Sequence, residues 1–132
     1  NSIEINKERF NTVMDSDILV KKIISKVFDR KAVDVLSIDV SNVSSYADYF
    51  IICSGTSDRH VQAIAEGVAN ELKNEEQVNP LGIEGLQSSQ WVLVDYGDVI
   101  LHVFHEYTRN IYDLEGLWRD VDQVVISHHS DE

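Results

Sequence analysis

Three stretches of the chain repeat their apolar residues at helical spacing, which predicts three helices that each pack one face against a core. The second stretch shows the pattern best, because Val61, Ile64 and Val68 recur at steps of three and four residues. Ser57 or Asp58 is expected to cap its amino-terminal end, since short polar side chains accept hydrogen bonds from free backbone N–H groups. The predicted helices cover residues 17–30, 58–74 and 107–118.

Further stretches are apolar either in alternation or in short runs, as is typical of strands. The run that begins at Tyr49 is continuously apolar, which indicates a central strand buried on both faces. Pro80 lacks a backbone N–H and marks its stretch as an edge strand or as the start of a strand. Gly97 allows a tight connection, so the stretches on either side of it predict a hairpin. The predicted strands cover residues 34–40, 49–54, 78–83, 91–95 and 99–105, with a short terminal strand at 124–126.

The order of these elements predicts an α/β domain with a mixed sheet of about five strands flanked by helices. A hairpin inside an otherwise alternating chain requires antiparallel as well as parallel pairing, which argues against a doubly wound dinucleotide fold. With 132 residues, of which 43% are hydrophobic, the chain can build one core of ordinary size. We expect a flexible amino-terminal extension over residues 1–16, a single domain over 17–127 and a carboxy-terminal tail over 128–132.

The charge of the chain limits its partners. Asp and Glu number 23 against 11 Lys and Arg, which gives a formal net charge of −12. Because nucleic-acid binding draws its affinity from cations that face phosphates, charge-driven binding of RNA or DNA is disfavoured. A basic protein would instead be attracted and steered during its approach. The simpler alternative is that the acidic charge only keeps the protein soluble.

Cysteine use and hydropathy bear on the compartment. A single cysteine, Cys53, cannot form an intrachain disulfide, which suits a reducing environment. No apolar run approaches the ~20 residues that a membrane span needs, so no membrane contact is expected. Residues 1–17 carry acids and no hydrophobic signal core, unlike a secretory or transit peptide. We expect a cytoplasmic protein, with an organellar matrix or stroma left open.

A glycine turn after the predicted buried strand is a candidate anion site. Gly55, Thr56 and Ser57 open the second helix, where backbone N–H groups can hold a phosphate. The stretch lacks the lysine of a P-loop and the glycine spacing of a dinucleotide site. Chain turning by Gly55 and helix capping by Ser57 explain it more simply. Arg59 and His60, in the first helical turn, could still face a partner.

Cysteine and histidine give little support to catalysis or metal binding. Cys53 could pair with His60, His102 or His105 as a nucleophile and base, but its apolar neighbours predict a buried small hydrophobe. His102 and His105 would point to opposite faces of one strand, so they would not share an ion. His102 is expected to be a hydrogen-bonded structural histidine. We therefore expect no catalytic residue, no metal and no cofactor.

The predicted hairpin begins at Trp91 and carries Asp95 and Tyr96 near its tip. Asp95 and Asp98 could hold a divalent cation or do acid–base chemistry, although aspartates that stabilise a turn explain them more simply. Trp91 and Tyr96 are of the residue types that dominate binding hot spots. Acidic residues beside them would suit a basic partner. The alternative is that Trp91 only covers the edge of the core.

Three motifs in this order resemble those of one family. Residues 48–60 read DYFIICSGTSDRH, residues 91–104 read WVLVDYGDVILHVF, and residues 109–118 fit R-x-x-Y-x-L-E-x-L-W. Across residues 18–118 the chain is similar to ribosomal silencing factors of the Iojap-like family. The resemblance implies a nucleotidyltransferase-like α/β fold and a non-enzymatic protein. It implies binding to the fourteenth protein of the large ribosomal subunit, which blocks subunit joining and represses translation.

The resemblance also implies a binding site and an oligomeric state. The resemblance implies a homodimer, because isolated members of the Iojap-like family often form homodimers. Organellar members of the family assist assembly of the large subunit. Little direct nucleic-acid contact is expected on the ribosome. Arg59, His60 and Asp98 are predicted to be a supporting surface. The partner-binding residues implied by the resemblance are Trp91, Val92, Val94, Asp95 and Tyr96.

Two other classes of function are weighed against this one. A metal-dependent nucleotidyltransferase would use Ser57, Asp58, Asp95 and Asp98, but the chain departs from such enzymes because only Asp58 follows the glycine turn. A dimeric scaffold with no ribosomal role would leave the protein without affinity for large subunits.

Overall fold

The computed structural model describes residues 14–117 and 123–126. Within these residues no helix is both long and apolar enough to span a membrane. The predicted tail, and the extension up to residue 13, lie outside the described residues. The helices are α1 (Ser16–Asp29), α2 (Asp58–Glu76), α3 (Glu106–Tyr112) and α4 (Leu114–Leu117). The strands are β1 (Val33–Asp39), β2 (Tyr49–Gly55), β3 (Gly82–Glu84), β4 (Trp91–Asp95), β5 (Val99–His105) and β6 (Gln123–Ile126).

The six strands form one mixed sheet in the order β3-β4-β5-β2-β1-β6. Strands β2 and β5 pair in parallel at the centre, and every other pair is antiparallel. This arrangement confirms the predicted mixed sheet with helices and the predicted β4–β5 hairpin. The sheet has six strands because β6, which the pattern indicated as a short terminal strand, pairs with β1 at one edge.

Helices α1 and α2 cover one face of the sheet, which we call the helix-covered face. Their apolar stripes supply fully buried side chains, among them Ile23 from α1 and Ile64 from α2. Burying each such side chain stabilises the fold by about 1.5–3 kcal/mol. Strand β5 contributes alternate residues to the same core, as the period of a strand requires. Those residues are Val99, Leu101 and Val103.

The opposite face of the sheet has a second, smaller core. It contains the fully buried side chains of Ile38, Ile52 and Phe104, with Leu114 of α4 packed on them. Helices α3 and α4 are short, and the described helices leave the β4 side of this face only partly covered.

The predicted strand at 78–83 is wrong in its bounds, because β3 begins only at Gly82. The start of that stretch instead completes the carboxy-terminal cap of α2. Gln77 takes a left-handed conformation with φ 57°, and the N–H of Val78 donates to the carbonyl of Leu72 at 3.1 Å. Val78 is therefore apolar because it closes the core beneath α2. Pro80 follows the cap, as is common after helix ends.

The predicted last helix is interrupted. Asp113 adopts a left-handed conformation with φ 48°, and its N–H donates to the carbonyl of Arg109 at 2.9 Å. This bond ends α3 at Tyr112, and α4 begins at Leu114. Leu114, the first residue of α4, packs on the second core.

Candidate functional site

The indole of Trp91 is anchored on the opposite face of the sheet and is half-buried there. It stacks on Phe104 with 5.0 Å between ring centroids and an angle of 22° between planes. The ring of Tyr112 lies 4.9 Å away on α3. The indole N–H donates to Nδ1 of His102 at 3.1 Å. Trp91 thus covers the edge of the core and also presents part of its ring to solvent.

Strand β4 divides its residues between the two faces. Trp91, Leu93 and Asp95 lie on the opposite face and are all half-exposed. Val92 and Val94 are 0% exposed in the core of the helix-covered face. The expectation that these two valines contact a partner through their side chains must therefore be corrected. Their role is to hold the strand that presents the other three.

Half-exposed apolar side chains from neighbouring elements surround Trp91. Backbone pairing places Ile100 opposite Asp95 and Phe50 opposite Ile100, so these residues share the face of Trp91. Tyr112 is 51% exposed beside it. We call this set the open patch: Phe50, Trp91, Leu93, Ile100 and Tyr112. Sequence reasoning found only Trp91 as a binding residue in it, although the alternation along β4 already pointed to Leu93.

Aspartates collect at one end of the sheet. Strands β1 and β4 end there, and the parallel strands β2 and β5 begin there. Helix α1 starts at the same end, where the hydroxyl of Tyr49 donates to Asp17 at 3.1 Å. Among the described residues, no group of His, Cys, Asp and Glu is arranged to hold a metal ion. We call this region the acidic end: Asp17, Asp39, Asp48, Asp95 and Asp98.

Two of these carboxylates have clear local roles. Asp95 accepts a hydrogen bond from the N–H of Gly97 at 2.7 Å, which confirms that it stabilises the hairpin turn. Asp39 accepts hydrogen bonds from the hydroxyl and the N–H of Ser41, and these lower the pKa of its carboxyl. Part of each side chain faces solvent.

Tyr96 points away from the open patch. Its ring packs against the core of the helix-covered face, and its hydroxyl is buried without a hydrogen-bond partner among the described residues. Burial raises the pKa of that hydroxyl. The ring lines a cavity of about 340 Å³ with Met14, Leu19 and Leu81. Tyr96 therefore does not belong to the surface that carries Trp91.

Arg59 and His60 lie at the other end of the sheet from Asp98, because α2 begins where β2 and β5 end. Nδ1 of His60 accepts from the N–H of Thr56 at 2.9 Å, and Nε2 donates to the carbonyl of Arg30 at 2.8 Å. His60 thus joins the start of α2 to the end of α1. The predicted supporting surface is divided between two ends, about 20 Å apart for a strand of this length.

The same separation affects the enzymatic alternative. Ser57 and Asp58 lie at the start of α2, whereas Asp95 and Asp98 flank the hairpin turn at the acidic end. The four residues do not converge on one reacting atom, which metal-assisted phosphoryl transfer requires. Ser57 instead accepts a hydrogen bond from the N–H of His60 at 3.0 Å, which confirms the predicted helix cap.

Among the residues that the structure describes, Cys53 does not form a catalytic pair with a histidine. Cys53 is 0% exposed on the helix-covered face, and burial raises the pKa of its thiol to about 12. His102 lies on the opposite face, hydrogen-bonded as predicted. Nδ1 of His105 accepts from the N–H of Tyr107 at 3.1 Å and caps α3. Each of these three histidines has a structural task, and within residues 14–117 none of them faces the thiol.

Comparison with known proteins identifies the family. The model of a family described as "Ribosomal silencing factor during starvation" matches residues 13–132. The "Ribosomal silencing factor RsfS" of Bacillus subtilis (strain 168) is 46% identical over 92 residues, covering 70% of this chain and 77% of that protein. "Mitochondrial assembly of ribosomal large subunit protein 1" of Mus musculus is 34% identical over 101 residues, covering 75% of this chain and 44% of that protein.

A solved structure supports the same assignment. A crystal structure of a protein from Chromobacterium violaceum superposes with a TM-score of 0.77 at 38% identity, covering 80% of this chain and 88% of that one. The sequence motifs, the mixed sheet and these similarities agree. This chain belongs to the ribosomal silencing factor family, RsfS.

Proposed function

We propose that this protein binds the large ribosomal subunit and, from that position, prevents the small subunit from joining. Its direct partner is a basic protein of the large subunit, which the family resemblance implies is the fourteenth. The observation that carries the proposal is the open patch beside the acidic end, since it combines apolar anchors with negative charge on one surface. Contact with nucleic acid is minor in this account because the chain has a net charge of −12.

The open patch supplies the anchors. Tryptophan and tyrosine dominate binding hot spots because they remove a large apolar area from water. Trp91 is already held by Phe104 and His102, so little side-chain freedom is lost on binding. Truncating an anchor of this kind commonly costs about 2 kcal/mol or more, which corresponds to roughly 30-fold in affinity.

Carboxylates flank the anchors and match a basic partner. Glu84 pairs with Leu93 across β3 and β4, so both side chains project from the same face. Together with Trp91 and Gly85 they line a shallow cavity of about 250 Å³. A lysine or arginine side chain fits this chemistry, because its stem can pack on Leu93 while its charged end approaches Glu84. Binding is therefore expected to weaken as salt rises.

The effect on translation needs no chemistry. An interface of ordinary size buries roughly 800 Å² on each partner, which is enough to hold a domain stably. A folded domain held on the joining surface excludes the small subunit by its volume alone. The mouse relative is named for assembly of the mitochondrial large subunit, and the same surface would serve a protein that binds a subunit during assembly.

The test is co-sedimentation with purified large subunits, followed by addition of small subunits. The unmodified protein should bind and should reduce the yield of joined ribosomes. Trp91→Ala and Asp95→Lys should each lose at least about tenfold in affinity. Glu66→Lys is the matched control, because it makes the same charge change at an exposed position on α2.

Three results would count against the proposal. Absence of the unmodified protein from the large-subunit fraction would reject ribosome binding and favour a scaffold. If Trp91→Ala and Asp95→Lys both bind large subunits as tightly as the unmodified protein does, the mapped surface is rejected. A thermal-stability increase with Mg²⁺ and a nucleoside triphosphate would instead support the enzymatic alternative, because a ligand that binds only the folded state raises its stability.

The free protein is proposed to form a homodimer through the open patch. An exposed apolar surface of this kind favours association, and a second copy can cover it until the ribosome does. Sedimentation equilibrium should give a dimer for the unmodified protein. Leu93→Asp should shift it to monomer, whereas Glu66→Lys should not. A dimer that persists in the Leu93 variant would place the contact elsewhere.

A further inference from the structure

We propose that His102 is a positioning residue for Trp91: its Nδ1 fixes the indole so that the partner meets only the carbon edge of the ring. The effect on partner binding rests on the proposed function, whereas the fixing of the indole by His102 concerns the free protein and does not depend on it. Nothing in the family resemblance assigns a role to His102 beyond its place in a motif.

His102 is enclosed by aromatic rings at the base of the open patch. It is 4% exposed in the middle of β5, between Leu93 of β4 and Ile52 of β2 in the strand register. The ring of Phe50 meets it edge-on, with 4.9 Å between centroids and 69° between planes. Trp91 lies on its other side, 6.0 Å between centroids. The imidazole thus forms part of the floor on which Trp91 rests.

The hydrogen bond determines which imidazole nitrogen carries the proton. The indole N–H of Trp91 can only donate, so Nδ1 of His102 must accept at the 3.1 Å separation. The neutral ring then carries its proton on Nε2. Burial lowers the pKa of His102 to about 4, which keeps the Nδ1 lone pair free at neutral pH.

The other nitrogen indicates why a histidine is used. Nε2 is buried and has no hydrogen-bond partner among the described residues. An unpaired buried N–H is unfavourable, and a leucine of similar size would avoid it. The benefit that offsets this cost is the bond that Nδ1 makes with Trp91.

The orientation of the indole has a consequence for the partner. Stacking on Phe104 defines the plane of the ring, but it leaves two flipped orientations with similar packing. The bond to His102 selects the orientation in which the N–H points into the protein. The N–H is then unavailable outside, so the partner surface that receives Trp91 is apolar rather than a hydrogen-bond acceptor.

Two substitutions separate positioning from packing. His102→Asn keeps an oxygen acceptor on Cγ, near the place of Nδ1, whereas His102→Leu keeps the bulk and removes the acceptor. The chain has two tryptophans, so a Trp118→Phe background leaves a single indole N–H signal for NMR. That signal should exchange slowly with solvent in the parent and in His102→Asn. It should exchange at least tenfold faster in His102→Leu.

Affinity for large subunits is the second measurement. His102→Leu should lose about tenfold, and His102→Asn should stay within about threefold of the parent. In a Trp91→Phe background, which has no indole N–H, His102→Leu should cause no further loss. A merely structural role of His102 would weaken binding equally in both backgrounds.

The outcomes are distinguishable. Unchanged indole exchange in His102→Leu, or a proton on Nδ1 in the nitrogen NMR spectrum of the unmodified protein, would overturn the positioning role. The nitrogen NMR spectrum needs no variant, so it decides even where His102→Leu does not fold. If exchange behaves as expected but the unmodified protein does not bind large subunits, the proposed function fails and the positioning role stands. If the parent and His102→Leu bind equally well, the binding consequence is refuted.

Discussion

Replacing Arg109 by methionine should release α3 from the sheet. The guanidinium of Arg109 is almost entirely buried, at 7% exposure of the residue. Its Nη1 donates to the carbonyl of Asp34 at 2.6 Å and to the hydroxyl of Ser54 at 2.9 Å. Asp34 lies at an irregularity of β1 with φ 53°, where the ladder to β2 shifts register. One side chain therefore joins α3 to two strands.

The magnitude follows from these bonds. A hydrogen bond to a charged group contributes about 1.5–3 kcal/mol, and its loss leaves a buried acceptor unpaired. Methionine keeps much of the apolar stem, so the loss is mainly polar. We expect Arg109→Met to lower the free energy of unfolding by about 3–5 kcal/mol. That is a large part of the ~5–15 kcal/mol typical of a domain. Arg109→Lys keeps the positive charge but lacks the branched guanidinium group, and it should lower the free energy of unfolding by about half as much.

Urea denaturation followed by circular dichroism measures this change. Arg59→Met is the matched control, because Arg59 is exposed at the start of α2, and its effect should stay within about 0.5 kcal/mol. Tyr112 sits on α3 against Trp91, so Arg109→Met should also alter tryptophan fluorescence in the native state. A loss below about 1 kcal/mol would show that α3 is held by something other than this arginine.

Three further predictions concern backbone, reactivity and pH. Gly85→Ala should lower the free energy of unfolding, measured by urea denaturation, by at least about 2 kcal/mol, because φ is 92° and a Cβ would collide with the carbonyl of Trp91. Gly82→Ala is the control and should be nearly neutral, because a Cβ at position 82 meets nothing within 4 Å. Equal effects of the two substitutions would refute this reasoning. Cys53, with its thiol pKa raised to about 12 by burial, should resist a thiol reagent at pH 8 until urea unfolds the protein, and rapid native labelling would contradict its burial. The pKa of His102 is lowered from 6.5 to about 4 in the folded protein, so between these values the unfolded state binds the extra proton. The free energy of unfolding should therefore fall as pH falls from 6.5 towards 4, by roughly 2 kcal/mol at pH 5. If His102→Asn shows the same dependence of stability on pH, the effect does not come from His102.

Local pattern was sufficient for the hairpin that carries the site. The strands at 91–95 and 99–105 have the predicted bounds, because alternation and the glycine between them are both local signals. The glycine turn and cap at Ser57 were also predictable, since capping depends on residues within one helical turn.

Elements that depend on distant contacts were not predictable in the same way. Val78 has the apolar character of a strand residue, but it closes the cap of α2 because the core beneath the helix needs an apolar side chain there. The break at Asp113 has no glycine or proline to announce it. It arises because Leu114 packs on a core built from β1, β2 and β5.

The site shows the same limit. The aromatic and acidic residues of β4 could be found from composition, but the patch also needs Phe50, which lies on β2 and is placed beside β5 by the order of strands in the sheet. The parallel strands β2 and β5 likewise separate His60, which follows the end of β2, from Asp98, which precedes the start of β5. The inward direction of Val92 follows from the alternation of side chains along a strand, so it is predictable from the sequence alone.

The most direct test of the proposed surface is hydroxyl-radical footprinting of the protein, free and bound to purified large subunits, read by mass spectrometry. Oxidation of Trp91, Leu93 and Tyr112 should fall several-fold on binding, because the partner covers the open patch. His60 lies on α2 at the helix-covered face of the sheet, away from the open patch, and should keep its reactivity. If Trp91 and Leu93 are oxidised as readily on the subunit as in free solution, the open patch is not the binding surface and the account is wrong.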